Sequence, residues 1–212
     1  FSMSELDLGD DLTNPFLLNP KDSFSDQQLL QSSDRVGLAK KSEINAWSGP
    51  FIMATANTRV VRRSEALLAL RQESYGPNFT YQEHAFHKSW FSAFRSLVLT
   101  GISVLVLLSP LKRLVKPFLP KPGEGPSEFV QENGWFDCKF IVETEDGIKS
   151  VFNMNGKGDP GYKVTSKLVS ECALCLIEEI DNLPGGSEYG GVLTCASGLG
   201  NPLIARLSKT GI

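Results

Sequence analysis

Two groups of residues in this chain have types and spacings that could do chemistry, and each has a plainer reading beside it. Gly156, Gly158 and Gly161 spell G-x-G-x-x-G between a strand-like run, Ile148 to Asn155, and a helical pattern with apolar groups at Val164, Leu168, Cys172, Cys175 and Leu176. After a parallel strand, such glycines let a backbone close around a pyrophosphate at a helix N-terminus. Here the strand alternates, with Lys149, Asn153 and Asn155 breaking the apolar run. A dinucleotide-binding strand is buried on both faces and reads as almost continuous Val, Ile and Leu. The run also follows Trp135 to Glu143 across Thr144-Glu145-Asp146-Gly147, and an Asp-Gly turn between alternating runs predicts an antiparallel hairpin. The acid about 20 residues on, Asp181, falls at the tail of a helix instead of the end of the next strand. The glycines therefore read as a turn, with Asp159 as helix N-cap and Pro160 as first helical residue. No cofactor-binding residue is assigned in this chain.

The second group is Asn57 with Arg59, Arg62 and Arg63 at the start of a helix expected from Thr58 to Leu70. Cations there oppose the helix dipole, so they are not placed to stabilise the helix. A substrate phosphate or carboxylate would explain them, and so would salt bridges to the acidic opening segment (Glu5, Asp7, Asp10, Asp11). In the same helix Val60, Val61, Leu67, Leu68 and Leu70 are expected to face a core. His84 and His87, spaced to share a helix face, lack a third ligand, so no metal is expected. Cys172 and Cys175 have redox-motif spacing but lie mid-helix on the apolar face, where cysteines act as small core residues. Tyr162 could donate a proton to a reduced carbonyl or enolate, or its hydroxyl could satisfy the turn.

These groups sit in a chain of 212 residues, enough for one large domain or two small ones. Hydrophobic content of 41% and a net charge of −3 describe an ordinary folded protein, and no basic stripe interleaved with aromatics points to nucleic acid. The opening Phe1-Ser2, without an initiator methionine or a signal-peptide pattern, reads as part of something longer. Four cysteines without secreted-domain spacing favour a reducing, intracellular compartment.

The organisation read from the sequence has five parts. Residues 1–20 form the trailing part of an upstream domain, and 21–45 a flexible polar loop. Residues 46–88 are the helical and strand start of a further domain, and 89–120 are an apolar, membrane-prone segment. Residues 121–212 are a compact α+β module of hairpin, long helix, a strand at Gly190 to Cys195 and a last helix from Asn201 to Lys209. The membrane-prone segment holds Trp90, Phe91, Leu105 and Leu107, followed past Pro110 by Lys112, Arg113 and Lys116. Aromatics on one side and cations on the other suit a helix dipping into an anionic membrane face, so these seven are the expected membrane contacts.

Several motifs occur in order: Arg59-Val60-Val61-Arg62-Arg63-Ser64 after Asn57-Thr58, then Gly123-Glu124-Gly125-Pro126-Ser127-Glu128. Gly158-Asp159-Pro160-Gly161-Tyr162 follows, and Gly190-Gly191-Val192-Leu193-Thr194 leads to Gly211-Ile212. On these motifs the chain resembles the saccharopine dehydrogenase-like oxidoreductases, a group that also includes trans-acting enoyl reductases of lipid synthesis. The resemblance covers most of residues 46–212 and, more loosely, the first 20. It departs at Cys195, where such proteins commonly have proline, and in stopping at Ile212 before their usual final residues.

The resemblance implies an N-terminal Rossmann domain carrying NAD or NADP and a following α+β domain on the substrate side. This chain is similar to the second only. The expected fold is α+β, a largely antiparallel or mixed sheet with covering helices, plus the membrane-prone helix. The implied partners are the missing Rossmann domain, a membrane or lipid-droplet surface (or a mitochondrial or other organelle membrane), and a second copy in a homodimer. The expected function is the C-terminal part of an NAD(P)-dependent oxidoreductase acting on a lipid or lipid-linked substrate, inactive as this chain alone. Asn57, Arg59, Arg62, Arg63 and Asp159 are its substrate-side candidates and Tyr162 the catalytic one. The alternative is a non-catalytic, membrane-associated scaffold that kept the fold and lost the reaction.

Overall fold

The computed structural model describes residues 13–34, 37–118, 121 and 123–210. The chain divides between Leu105 and Val106 into two compact units.

The first unit is organised around one helix. A short helix α1 (Asp26–Gln31) opens with a reciprocal cap: the Gln28 amide donates to Ser25 Oγ at 3.2 Å, and the Ser25 amide to Gln28 Oε1 at 2.9 Å. Strands β1 (Ala39–Lys41), β2 (Ala46–Gly49) and, after the long helix, β3 (Ala85–His87) form an antiparallel sheet in chain order. Trp47 lies opposite His87 and Ser48 opposite Phe86. His87 is thus a strand residue, and the helix that His84 and His87 were expected to share does not form, because pairing with β2 extends the backbone there. Among the described residues no group of His, Cys, Asp and Glu could hold a metal ion.

Helix α2 (Ala54–Ala69) starts four residues before the expected Thr58. Its buried face is not the aliphatic one read from the sequence. Leu67 and Leu68 are buried as expected, but so are Thr58, Arg59, Arg62 and Glu65, while Val60 and Leu70 are exposed. Glu65 receives the Tyr75 amide at 2.8 Å and the Ser74 hydroxyl, holding down the chain that leaves the helix.

Helix α3 (Trp90–Leu108) follows, its start marked by Trp90 stacked on Phe94 with centroids 5.1 Å apart. The membrane-prone helix is corrected here: among the described residues no helix is long and apolar enough to cross a membrane. The reason is in its composition. Arg95 interrupts the first two turns, and the stretch from Leu97 to Leu108 spans only about 18 Å as helix, against ~30 Å of hydrocarbon. Trp90, Phe91, Leu105, Arg113 and Lys116 are exposed. Leu107 and Lys112 lie in helices whose side chains at those positions are outside the described residues.

In the second unit, α4 (Lys112–Val115) precedes α5 (Glu128–Asn133), whose cap is Ser127. Strands β4 (Trp135–Glu143) and β5 (Lys149–Lys157) pair antiparallel over nine positions. Gly147, at φ +83°, closes the turn between them, its amide donating to Thr144 O at 2.9 Å. Helix α6 (Lys163–Glu178) packs on α8 (Gly200–Lys209), with the short α7 (Cys195–Gly198) between them in sequence. The core here is Cys175, Leu199 and Leu203, flanked by Cys172, Leu183 and Leu207. Arg206 ties the two long helices together, donating to Glu171 at 3.0 Å and to Glu178 at 2.7 Å.

Among the described residues the fold is thus α+β with two separate small antiparallel sheets, three-stranded and two-stranded, rather than one larger mixed sheet. The strand expected at Gly190 to Cys195 is also absent: Thr194 caps α7 and Cys195 is its first residue, because the glycines before it turn the chain.

Candidate functional site

The arginines that the sequence singles out lie on α2. Arg62 is almost completely enclosed. Its Nη1 donates to Pro15 O at 2.9 Å, and its Nη2 to Ser32 O at 3.0 Å and Tyr81 O at 2.8 Å. The guanidinium also lies 5.5 Å from the centre of the Phe16 ring. A buried charge is costly unless hydrogen-bonded, and three carbonyls from three separate segments supply that compensation. Burial and the neighbouring Arg59 lower the Arg62 pKa, opposed by Asp34.

Arg59 makes a two-pronged pair with Asp34, at 3.1 and 3.0 Å, and donates to Thr55 O at 2.9 Å. Its carboxylate comes from the polar loop. Glu5, Asp7, Asp10 and Asp11 lie outside the described residues. Arg63 donates to Leu18 O. Asn57 Nδ2 donates to Glu83 Oε2 at 2.9 Å, and the Tyr81 hydroxyl reaches the other oxygen of the same carboxylate. The structure thus brings Asn57, Arg59, Arg62 and Arg63 together as clamps that fasten α2 to the segments around it.

The glycine turn lies in the second unit. Gly156 pairs with Phe136, and a Cβ added there would fall 2.5 Å from the Phe136 ring. Gly158 takes φ +102°, its amide donating to Gly134 O at 2.7 Å, while the Asp159 amide donates to Gln131 O at 2.9 Å. Amides that would cradle a phosphate are spent on the strand-to-α5 junction, and β5 runs antiparallel to its neighbour. These residues do not fit a dinucleotide. Asp159 acts a step earlier than an N-cap: Tyr162 is the cap residue, and its amide donates to Asp159 Oδ2 at 2.7 Å. The Tyr162 ring is half-exposed and lies against Gly125.

Beside this turn, β4, β5 and the first turns of α6 border an open hollow of about 800 Å³. Strand alternation explains its lining. Trp135, Asp137 and Lys139 share one face of β4 and stand opposite Lys157, Asn155 and Asn153 of β5. The other face carries Phe136, Phe140, Phe152 and Met154, of which Phe136, with its partner Gly156, also borders the hollow. Lys139 is engaged, 3.1 Å from Asn153 Oδ1 and 3.7 Å from Asp137. Lys157 and, from α6, Lys167 have no partner among the described residues. Two ammonium groups, two side-chain amides and an exposed indole can hold an anionic group attached to an apolar body. They include no nucleophile, metal set or acid–base pair. Tyr162 is not among the lining residues.

Comparison with known proteins adds what geometry lacks. The chain is 36% identical over 214 aligned positions, 95% of its length, to a Mycobacterium tuberculosis protein provisionally named a trans-acting enoyl reductase. It is 34% identical over 78% of its length to the trans-acting enoyl reductases of Mycobacterium ulcerans and Mycobacterium bovis. The chain is similar to trans-acting enoyl reductases along nearly its whole length. It spans about half the length of these relatives, 49% of the first and 40% of the others. No family model matches the chain, and no solved structure matches it. The similarity to trans-acting enoyl reductases bears out that part of the resemblance, whereas the wider saccharopine dehydrogenase-like grouping rests on the motifs alone.

The hollow is not among the features the sequence singles out. Its signal is the alternation that sets Asp137 and Lys139 against Asn155 and Asn153, which excludes a parallel strand and also gathers polar groups on one face of the hairpin.

Proposed function

We propose that this chain is the substrate-side part of an enoyl reductase-type oxidoreductase acting on a lipid-related acyl substrate. The similarity to trans-acting enoyl reductases over 95% of the chain carries this reading. A nicotinamide cofactor, NADH or NADPH, would supply the hydride for such a reduction. In this reading the cofactor is held outside this chain, by a Rossmann domain, and a turn from Gly156 to Gly161 that does not fit a dinucleotide supports it.

What this chain contributes is binding and orientation. The Lys157 and Lys167 ammonium groups hold the anionic part of the substrate, and the Trp135 indole lies against its apolar part. The Asn153 and Asn155 amides donate to the thioester carbonyl, which gains negative charge as the adjacent double bond is reduced.

The test is a chimera in which this chain replaces the matching half of the Mycobacterium tuberculosis relative, assayed beside the unaltered relative. Oxidation of NADPH dependent on an enoyl thioester is expected from the chimera. A chimera that folds and binds NADPH yet leaves the thioester unreduced, while its parent reduces it, overturns the proposal.

A further inference from the structure

Two thiols of the second unit face each other across the packing of α6. Cys172 Sγ, on α6, lies 3.9 Å from Cys195 Sγ, the first residue of α7. The two are 23 positions apart in sequence, so no local helical spacing accounts for the approach. A disulfide needs about 2.0 Å between sulfurs. Closing the remainder requires a movement of roughly 2 Å, and Cys195 follows a glycine-bearing turn (Gly190, Gly191) that can supply it.

The two sites also differ in the way a reactive pair requires. Cys195 is exposed and Cys172 is partly covered, whereas Cys175, one turn along α6, is fully enclosed in the core. Burial, then the neighbouring Cys195, pushes the Cys172 thiol up to about 11. Cys172 therefore stays protonated at neutral pH while Cys195 meets solvent.

We propose that Cys172 and Cys195 form a redox modification site, a dithiol that closes to an intramolecular disulfide with a low-molecular-weight disulfide as oxidant. In the first step the Cys195 thiolate attacks one sulfur of the oxidant, forming a mixed disulfide and releasing one thiolate. That thiolate takes the Cys172 proton. Cys172 then attacks Cys195 Sγ, the mixed bond breaks, and the second thiolate leaves. The protein loses two hydrogens and the oxidant becomes two thiols. The closed bond ties α6 to the start of α7 and shuts the loop between them, which limits the unfolded chain more than the folded one.

The experiment treats the 212-residue chain with oxidised glutathione and reads the product by intact mass, peptide mapping and thermal melting. The expected product carries no glutathione on Cys172 or Cys195, is cross-linked between those two peptides, and is 2 Da lighter before any adduct on the exposed Cys138 is counted. Its Tm is raised by roughly 5 °C or more, and dithiothreitol reverses both changes. Cys172→Ser should stop at the stable glutathione adduct on Cys195, and Cys195→Ser should give neither adduct nor cross-link at Cys172. A wild-type product that keeps four free thiols, keeps glutathione on Cys195, or is cross-linked through Cys138 or Cys175 overturns the proposal.

Discussion

Arg62 shows how much one residue can be asked to do. A guanidinium has donors in a fixed fork and cannot be deprotonated, so it can satisfy several carbonyls at once in an enclosed space. Three carbonyls, from Pro15, Ser32 and Tyr81, depend on it. Replacing it with methionine keeps the bulk and leaves those oxygens without a donor, at a cost of about 3 kcal/mol. Thermal melting of Arg62→Met should show Tm lower by roughly 6–12 °C. Arg62→Lys, with an ammonium in place of the fork, should fall between the two. An unchanged Tm in Arg62→Met would return the arginine to the list of ligand-facing residues.

Cys172 gives a pH prediction at the same scale. Its thiol pKa is raised to about 11, so the folded state favours the protonated form. The stabilisation is fully present below the unfolded-state pKa, near 8.5–9, and is lost as pH rises toward 11. Alkylation by iodoacetamide at pH 7.5 should accordingly run roughly a hundredfold slower at Cys172 than at an ordinary thiol, as peptide mapping over time can measure. Equal rates at Cys138 and Cys172 would contradict this.

At the scale of elements, the β4–β5 hairpin sorts its side chains by alternation. Phe136, Phe140, Phe152 and Met154 take one face, and Trp135 with the lysines and amides takes the other, which borders the hollow. Long-chain acyl-coenzyme A thioesters, which pair phosphates with an apolar tail, should bind there. Lys157→Glu with Lys167→Glu should weaken that binding at least tenfold, about 1.4 kcal/mol, by calorimetry at low salt. Affinity that does not move with either the charge reversal or salt would rule the hollow out. The junction behind the hairpin is tight: a Cβ on Gly134 would fall 2.7 Å from the Asp159 backbone nitrogen. Gly134→Ala should therefore cost stability by forcing the turn apart, visible as a lower Tm with unchanged helical content.

At the scale of the molecule, the proposed function puts the substrate side of the reaction in this chain and its hydride source elsewhere. Titrating NADPH into the chain alone should give no saturable fluorescence enhancement. Micromolar binding would mean that the glycine turn rearranges to accept a pyrophosphate, against the hydrogen bonds that Gly158 and Asp159 make.

The sequence by itself determined the elements whose signals are local: the Asp-Gly hairpin, the 3.6-residue period of α6, the last helix, and the antiparallel setting that disarms the glycine motif. It also carried the likeness to enoyl reductases in motifs spread along the chain. Only the tertiary structure decided which face of α2 is buried, because Arg62 is buried against carbonyls from residues 47, 30 and 19 positions away. The same holds for the Cys172–Cys195 approach and for the hollow. Periodicity reports what a segment prefers to hide from water. It does not report which distant carbonyls, thiols or ammonium groups the folded chain will set side by side, since those contacts exist only once the elements have packed.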